Sequence, residues 1–277
     1  MVTTRLKPAN TKLKKFNEIE SPKLKFKEKL AYGFGDLGNG LMFDMGQIYL
    51  LLFYTDILGI PSAIGGLVFL VAKFFDAFVD TGVGTLVDNQ KNFSKRGKFR
   101  PFILYGSIPL AILTVLTFIS PDISETGKII WAFGTYLLFN AAYSVVNIPY
   151  GSLSASMTIN ADDRTQLSVF RNLGSQGAMF ISGIVPNHAI GYPIAVGILA
   201  IAGVTLHMLC YKGVKERHTI ERPQVKGLGR KAFFNLLKNR PFIILAIYTL
   251  LTITALFLQQ GAQLYYYKNV LGFDNLI

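Results

Sequence analysis

Two carboxylates one helical turn apart, inside an apolar run, are the residues in this sequence best placed to do chemistry. Asp76 and Asp80 lie in Val-Ala-Lys-Phe-Phe-Asp-Ala-Phe-Val-Asp, with Lys73 three residues before the first acid. Spacings of three and four put these side chains on one face of a helix. A carboxylate at the centre of a bilayer-spanning helix costs about 2.5–3.5 kcal/mol, so a segment that merely spans has no use for two. Two acids this close repel when both are ionised, and a small cation or a shared proton relieves the repulsion. Oxygen ligands at this spacing suit a hard monovalent cation, so a metal ion is expected here only in that form. The competing reading places Asp80 near the cytoplasmic interface, hydrated and paired with Lys73 or with arginines of the next loop.

Three further apolar runs carry polar groups. In the first, Tyr32, Asp36, Asn39 and Asp44 share a side with Gly33, Gly35, Gly38, Gly40 and Gly46. Asp36 and Asn39 face together, and the glycines allow close helix approach. Hydrogen-bonding groups among small and aromatic residues suit a sugar, whose hydroxyls need paired donors and acceptors; inter-helix packing is the alternative. Tyr49, Tyr54 and Asp56 fall late in the run and are expected in the outer interfacial belt. Another run spaces Asn140, Tyr143, Ser144 and Asn147 three or four apart before Pro149. A third holds Arg171, with Asn172 and Gln176 close by. An arginine one to two turns into a span either reaches back to the cytoplasmic face or points into a polar cavity. In a cavity its fork of donors could hold two sugar hydroxyls or offset Asp76 and Asp80. His188, His207 and His218 make no metal-ligand spacing, and no Walker lysine, Gly-x-Ser-x-Gly or HExxH is present. Neither an ATP-driven pump nor a hydrolase is indicated, so the chain is not read as an enzyme and no cofactor is expected.

The elements that position these residues follow from composition. Of 277 residues, 51% are hydrophobic and only 16% are charged, against about a quarter charged in a soluble domain. That excludes a soluble enzyme and a disordered chain, and the single cysteine, Cys210, excludes a disulfide scaffold. Apolar stretches at roughly 30–58, 64–87, 101–119, 129–148, 166–186, 192–211 and 241–267 are each long enough to span a bilayer. Of the 28 Lys and Arg, nine lie in residues 1–29, five in 88–100, one at 164 and nine in 212–240. A basic excess on alternate loops is the positive-inside pattern and puts the N-terminus in the cytoplasm. It also turns the net charge of +12 from a nucleic-acid signal into a topology signal, and no nucleic-acid partner is expected. The reading is an all-α, multi-pass protein of the cytoplasmic membrane whose partner is the lipid bilayer. Its parts are a basic tail (1–29, without a cleavable signal), six helices (30–211), a basic linker (212–240) and a seventh helix (241–277). Within the linker, residues 230–239 place Phe233, Phe234 and Leu237 at helical spacing and read as a short interfacial helix. Six spans, a basic loop and a further span is the order of a transporter built of two six-helix halves.

Several patches, in this order, carry a family likeness. Tyr32-Gly-Phe-Gly-Asp-Leu-Gly-Asn39 and Phe53-Tyr-Thr-Asp56 open and close the first span. Asp76-x-x-x-Asp80 and Gly84-x-x-x-Asp88 precede Arg96-Gly-Lys-Phe-Arg-Pro101. Tyr143-x-x-x-Asn147-Ile-Pro149-Tyr and Arg164-x-x-x-x-x-x-Arg171 follow. Together they resemble the glycoside–pentoside–hexuronide:cation symporters, the melibiose permease group of the major facilitator superfamily. The likeness covers about residues 25–271 and matches the N-terminal half of such a transporter plus helix VII, with the missing C-terminal half expected as its partner. It implies a six-helix bundle of two inverted three-helix repeats, and symport of a sugar or glycoside with Na+ or H+. It assigns the coupling cation to Asp76, Asp80 and Ser144. It assigns the sugar to helix I residues, here Asp36 and Asn39, with Tyr143, Asn147 and Arg171. The loop with Asp88, Lys95, Arg96, Lys98 and Arg100 reads as a cytoplasmic latch. The chain differs from the melibiose permease in having Asn147 for an acid, Gly151 for a tryptophan, and Asn39-Gly40 for a Lys-Asp pair. Val79 and Thr81 replace a polar residue and a proline beside the second helix II acid. A lipid cargo and a half-transporter without activity of its own are the alternatives.

Overall fold

The computed structural model describes residues 23–90, 96–184, 191–218 and 238–270. Seven long helices account for nearly all of them: α1 (Phe26–Asp56), α2 (Ser62–Asn89), α3 (Arg100–Thr117), α4 (Glu125–Met157), α5 (Ala161–Ile184), α6 (Tyr192–Gly213) and α7 (Arg240–Asn269). Their boundaries carry the signals of the sequence. Pro101, Pro193 and Pro241 occupy the first turns of α3, α6 and α7, where a missing N–H costs nothing. Ser124 and Asn239 cap α4 and α7 through their side chains.

Four helices, α2, α3, α4 and α6, are long and apolar enough to cross a membrane. The others reach far enough by length: α5, with 24 residues, is about 36 Å long at ~1.5 Å per residue, against a hydrocarbon core of about 30 Å. α1 brings Asp36, Asn39, Asp44 and Gln47 to the interior, whereas most polar residues of α5 are exposed. The chain is a multi-pass membrane protein.

The packing has an internal symmetry. α1 lies against α5 and α6, α4 lies against α2 and α3, and α3 meets α6. Exchanging α1 with α4, α2 with α5 and α3 with α6 maps this set of contacts onto itself, as two three-helix repeats require. Close approach in the α1 half rests on glycine. A Cβ on Gly174 would stand 2.3 Å from the Gly33 carbonyl oxygen, and one on Gly38 2.8 Å from that of Gly203. Small residues at such crossings let two backbones touch where lipid supplies no hydrophobic drive.

The buried apolar side chains separate into two groups along the helices. One gathers Met42, Met45, Tyr54, Leu110, Phe118, Tyr136 and Val196. The other gathers Tyr32, Val87, Ile103, Tyr150, Leu167 and Cys210 beside the basic loops. Asp36 and Asn39 on α1, Asp76 and Asp80 on α2, Asn147 on α4, Arg171 on α5 and His207 on α6 fall between the two groups in sequence. The polar layer is thus sandwiched at mid-depth.

Tyr49 and Tyr54 are not in an interfacial belt. Their side chains are 5% and 0% exposed, and their hydroxyls donate to the carbonyls of Gly183 and Ala132. A tyrosine that finds a backbone acceptor can be buried whole. Asp56, next in line, is exposed. α7 rests against α1 and buries none of its described side chains. The stretch 230–239 lies outside the described residues except for its last two, as do His188 and Lys95.

Candidate functional site

α1, α4 and α5 enclose a cavity of 300 Å3 in the polar layer. Its wall includes Asp36, Asn39, Phe43, Asp44 and Gln47 of α1, Tyr143 of α4, and Arg171 and Ser175 of α5. The α1 residues recur at three- and four-residue steps, so one face of the helix supplies most of the wall. Phe43 and Tyr143 stack at 4.4 Å and give the wall an aromatic panel. Arg171 points into the cavity and does not reach for the membrane surface. Its Nε donates to Asp36 Oδ1 at 3.4 Å, and its guanidinium lies 5.5 Å over the Tyr150 ring. It therefore offsets Asp36, and not the helix II acids.

Asn39 connects the wall to the bundle behind it. Its Nδ2 donates to Asn147 Oδ1 at 3.4 Å. Its Oδ1 lies 3.1 Å from Nε2 of His207, which is 0% exposed and also meets the Gly35 carbonyl at 3.2 Å. That carbonyl is an acceptor that cannot flip, so Nε2 bears the proton and Asn39 must turn its oxygen to the ring. Five of the sequence candidates, Asp36, Asn39, Tyr143, Asn147 and Arg171, thus form one connected assembly.

The helix II acids form a second cluster on α2. Asp80 Oδ1 accepts from the Ser144 hydroxyl at 2.5 Å. Asp76 pairs with Lys73 at 3.7 Å, while its Oδ1 is buried with no hydrogen-bond partner among the described residues. The cluster therefore offers oxygens from three side chains, one of them unpartnered. Ser144 directly follows Tyr143, so one turn of α4 touches the acids on one side and the cavity on the other.

The loop before α3 is held by a residue that sequence reading did not single out. The Glu216 carboxylate, from the segment after α6, accepts from the backbone N–H groups of Lys98, Phe99 and Arg100 at 2.8, 2.9 and 2.9 Å. Lys98 Nζ donates to the Asp88 carbonyl at 3.3 Å, and Arg96 hydrogen-bonds the Tyr105 hydroxyl. Arg100 donates to the Tyr211 carbonyl at 2.6 Å. Asp88, Arg96, Lys98 and Arg100 do gather at one end of the bundle, around a glutamate more than a hundred residues away.

Some polar positions stand apart from the site. Asn140 donates to Tyr136 within its own helix, and Asn172 and Gln176 are exposed. The cavity takes Ser175 in their place. Gln47 and Ser175 escaped sequence reading because a lone polar residue in a span has no partner visible in the sequence.

Comparisons with known proteins give the chain's family. The profile of the MFS/sugar transport protein family matches residues 31–277. The chain is 46% identical over 264 residues to the symporter YjmB of Bacillus subtilis (strain 168), itself uncharacterized, covering 92% of this chain and 58% of that one. It is 38% identical to a candidate sulfoquinovose importer of Escherichia coli (strain K12), over 92% of this chain and 56% of that one. It is 34% identical to a candidate glycoside/cation symporter of the same strain, YagG, over 91% and 56%. The chain thus spans somewhat more than half the length of the curated relatives it matches.

Proposed function

The chain belongs to the MFS/sugar transport protein family, and from that premise we propose that it forms the N-terminal half, with helix VII, of a secondary transporter of the glycoside–pentoside–hexuronide type. The transporter moves a sugar or glycoside across the cytoplasmic membrane by symport with Na+ or H+, with the N-terminus in the cytoplasm. The observation that carries the reading is the Ser144–Asp80 hydrogen bond at 2.5 Å, made by the residue next to cavity-lining Tyr143.

Asp76, Asp80 and Ser144 seat the coupling cation. In its absence the acids repel, and the unpartnered Asp76 oxygen is the natural first ligand. Binding draws α2 and α4 together, and Tyr143 moves with Ser144, so the cation favours the arrangement that receives solute. The coupling is reciprocal and typically about 1–3 kcal/mol. Asp36, Asn39, Tyr143, Asn147 and Arg171 bind the solute: the aromatic panel covers a sugar face, and the amide, carboxylate and guanidinium groups match its hydroxyls. The names of relatives, a sulfoquinovose importer and a glycoside/cation symporter among them, favour a sugar-like solute over a lipid. Asp88, Arg96, Lys98 and Arg100 latch the basic end, and a second six-helix half completes the path, since alternating access rocks one half against the other around a mid-membrane site.

The test uses the complete transporter in vesicles with an imposed Na+ or H+ gradient. Asp76→Asn or Asp80→Asn abolishes gradient-driven accumulation while solute exchange persists. Undiminished accumulation in both variants removes the acids from the coupling role.

A further inference from the structure

Away from the polar cavity, α3 and α6 leave an apolar groove of 520 Å3 between them. Ile108, Ile112 and Val115 form one wall, and Ile201, Val204 and Met208 the other. The groove opens outward, with Ile108, Ile112 and Ile201 at 50%, 56% and 70% exposed. Gly197 lines it as well, and a Cβ added there would meet nothing within 4 Å. From Ile108 to Leu116 the trench runs about 12 Å along α3 at ~1.5 Å per residue. A trench of this kind on the outer face of a membrane bundle accepts a hydrocarbon chain.

One end of the trench is basic. On α6 the stripe through Ile201, Val204 and Met208 continues four residues on to Lys212, which is exposed. On α3 the stripe through Ile112 and Ile108 continues three residues back to Tyr105, 56% exposed, whose hydroxyl is bonded by Arg96. Arg100 ties the helices together at this end, with its guanidinium 4.5 Å over the Tyr211 ring. Of the acids at this end, Glu216 is engaged by three backbone N–H groups at the start of α3, and Asp88 meets Lys98 through its carbonyl. Cationic side chains therefore stand at the mouth of an apolar trench, the arrangement of an intramembrane site for an anionic head group.

We propose that the α3/α6 groove binds one anionic phospholipid, with an acyl chain in the trench and its phosphate against Arg96 and Lys212. The proposal needs the protein in a bilayer but is independent of its transport activity.

The test is native mass spectrometry of the complete transporter released from nanodiscs of phosphatidylcholine and phosphatidylglycerol in a 4:1 ratio. The expected result is retention of one phosphatidylglycerol in preference to phosphatidylcholine. Lys212→Gln lowers that retention about fivefold, and Gly197→Leu, which fills the trench, removes it. Val204→Phe closes the trench from the α6 side if circular dichroism shows the Gly197 variant unfolded. Equal retention of the two lipids by the unmodified protein overturns the proposal, as does retention that neither variant lowers. Disulfide cross-linking of Ile201→Cys to a second copy also overturns it, because a protein surface then fills the groove.

Discussion

Replacing Arg171 by Gln tests whether the cavity is held together by charge. The guanidinium lies 3.4 Å from Asp36, with side-chain exposures of 39% and 13%. At that separation Coulomb's law gives about 5 kcal/mol for an effective dielectric of 20 and about 1 kcal/mol in water. An arginine more than a third exposed is screened toward the lower figure, so about 2 kcal/mol is the working value, or ~30-fold in an equilibrium. Arg171→Gln removes that attraction and leaves Asp36 half-buried without its cation, so the thermal midpoint of the complete transporter in nanodiscs falls. Asp36→Asn combined with Arg171→Gln removes both charges, and the midpoint recovers most of the loss. Solute affinity behaves differently if, as proposed, Arg171 also supplies donors to the solute: KM for gradient-driven uptake then rises about tenfold or more in both the single and the double variant. A double variant no more stable than the single one refutes the charge pairing. An unchanged KM in both refutes the placement of Arg171 in the solute site.

Two further predictions concern residues outside the cavity. Burial acts to raise Glu28 and Asp163, but the Lys25 N–H and Arg217 outweigh it at Glu28, and Lys29 and the Leu24 N–H do so at Asp163; both carboxyls are held below their ordinary values of 4.5 and 3.8. A depressed carboxyl contributes stability that is complete above its unfolded value and is lost as pH falls through its folded one, so the thermal midpoint should fall below about pH 4; Asp163→Asn lowers the midpoint at pH 7 and flattens that acid limb, and parallel pH curves would contradict the linkage. His207→Leu strips Asn39 Oδ1 of its donor and raises KM about tenfold, as expected for one hydrogen bond of ~1.4 kcal/mol, whereas His207→Gln can place an amide nitrogen where Nε2 stands and preserves KM; equal effects of the two would reduce His207 to packing.

The sequence carried the helices because hydrophobic length and basic loops are one-dimensional signals. It carried Asp76, Asp80 and Arg171 because a charge inside an apolar run is conspicuous without any neighbour. What it could not carry is rotation. Tyr49 and Tyr54 sit late in α1, where aromatic residues often meet the head groups, yet α1 is central, packed against α5 and α6, so their hydroxyls find carbonyls inside the bundle. Asn172, Ser175 and Gln176 are near neighbours on α5, and only the angle at which Gly33 and Gly174 let α5 settle on α1 decides that Ser175 lines the cavity.

Glu216 and His207 show the same limit from the other side. Each has its partner, the start of α3 or Asn39, more than a hundred positions away. A lone histidine in an apolar helix reads as core, and a glutamate just past a helix end reads as solvated. Each becomes informative once its partner is a group with fixed polarity: three N–H donors for Glu216, and the Gly35 carbonyl for His207. Because an unsatisfied polar atom inside a membrane bundle is costly, a buried polar group held by a distant partner marks a residue that spacing alone misses. Oδ1 of Asp76, like Oδ2 of Asp44 in the cavity wall, is buried without a hydrogen-bond partner among the described residues, and it is the oxygen that the proposed coupling cation would meet first.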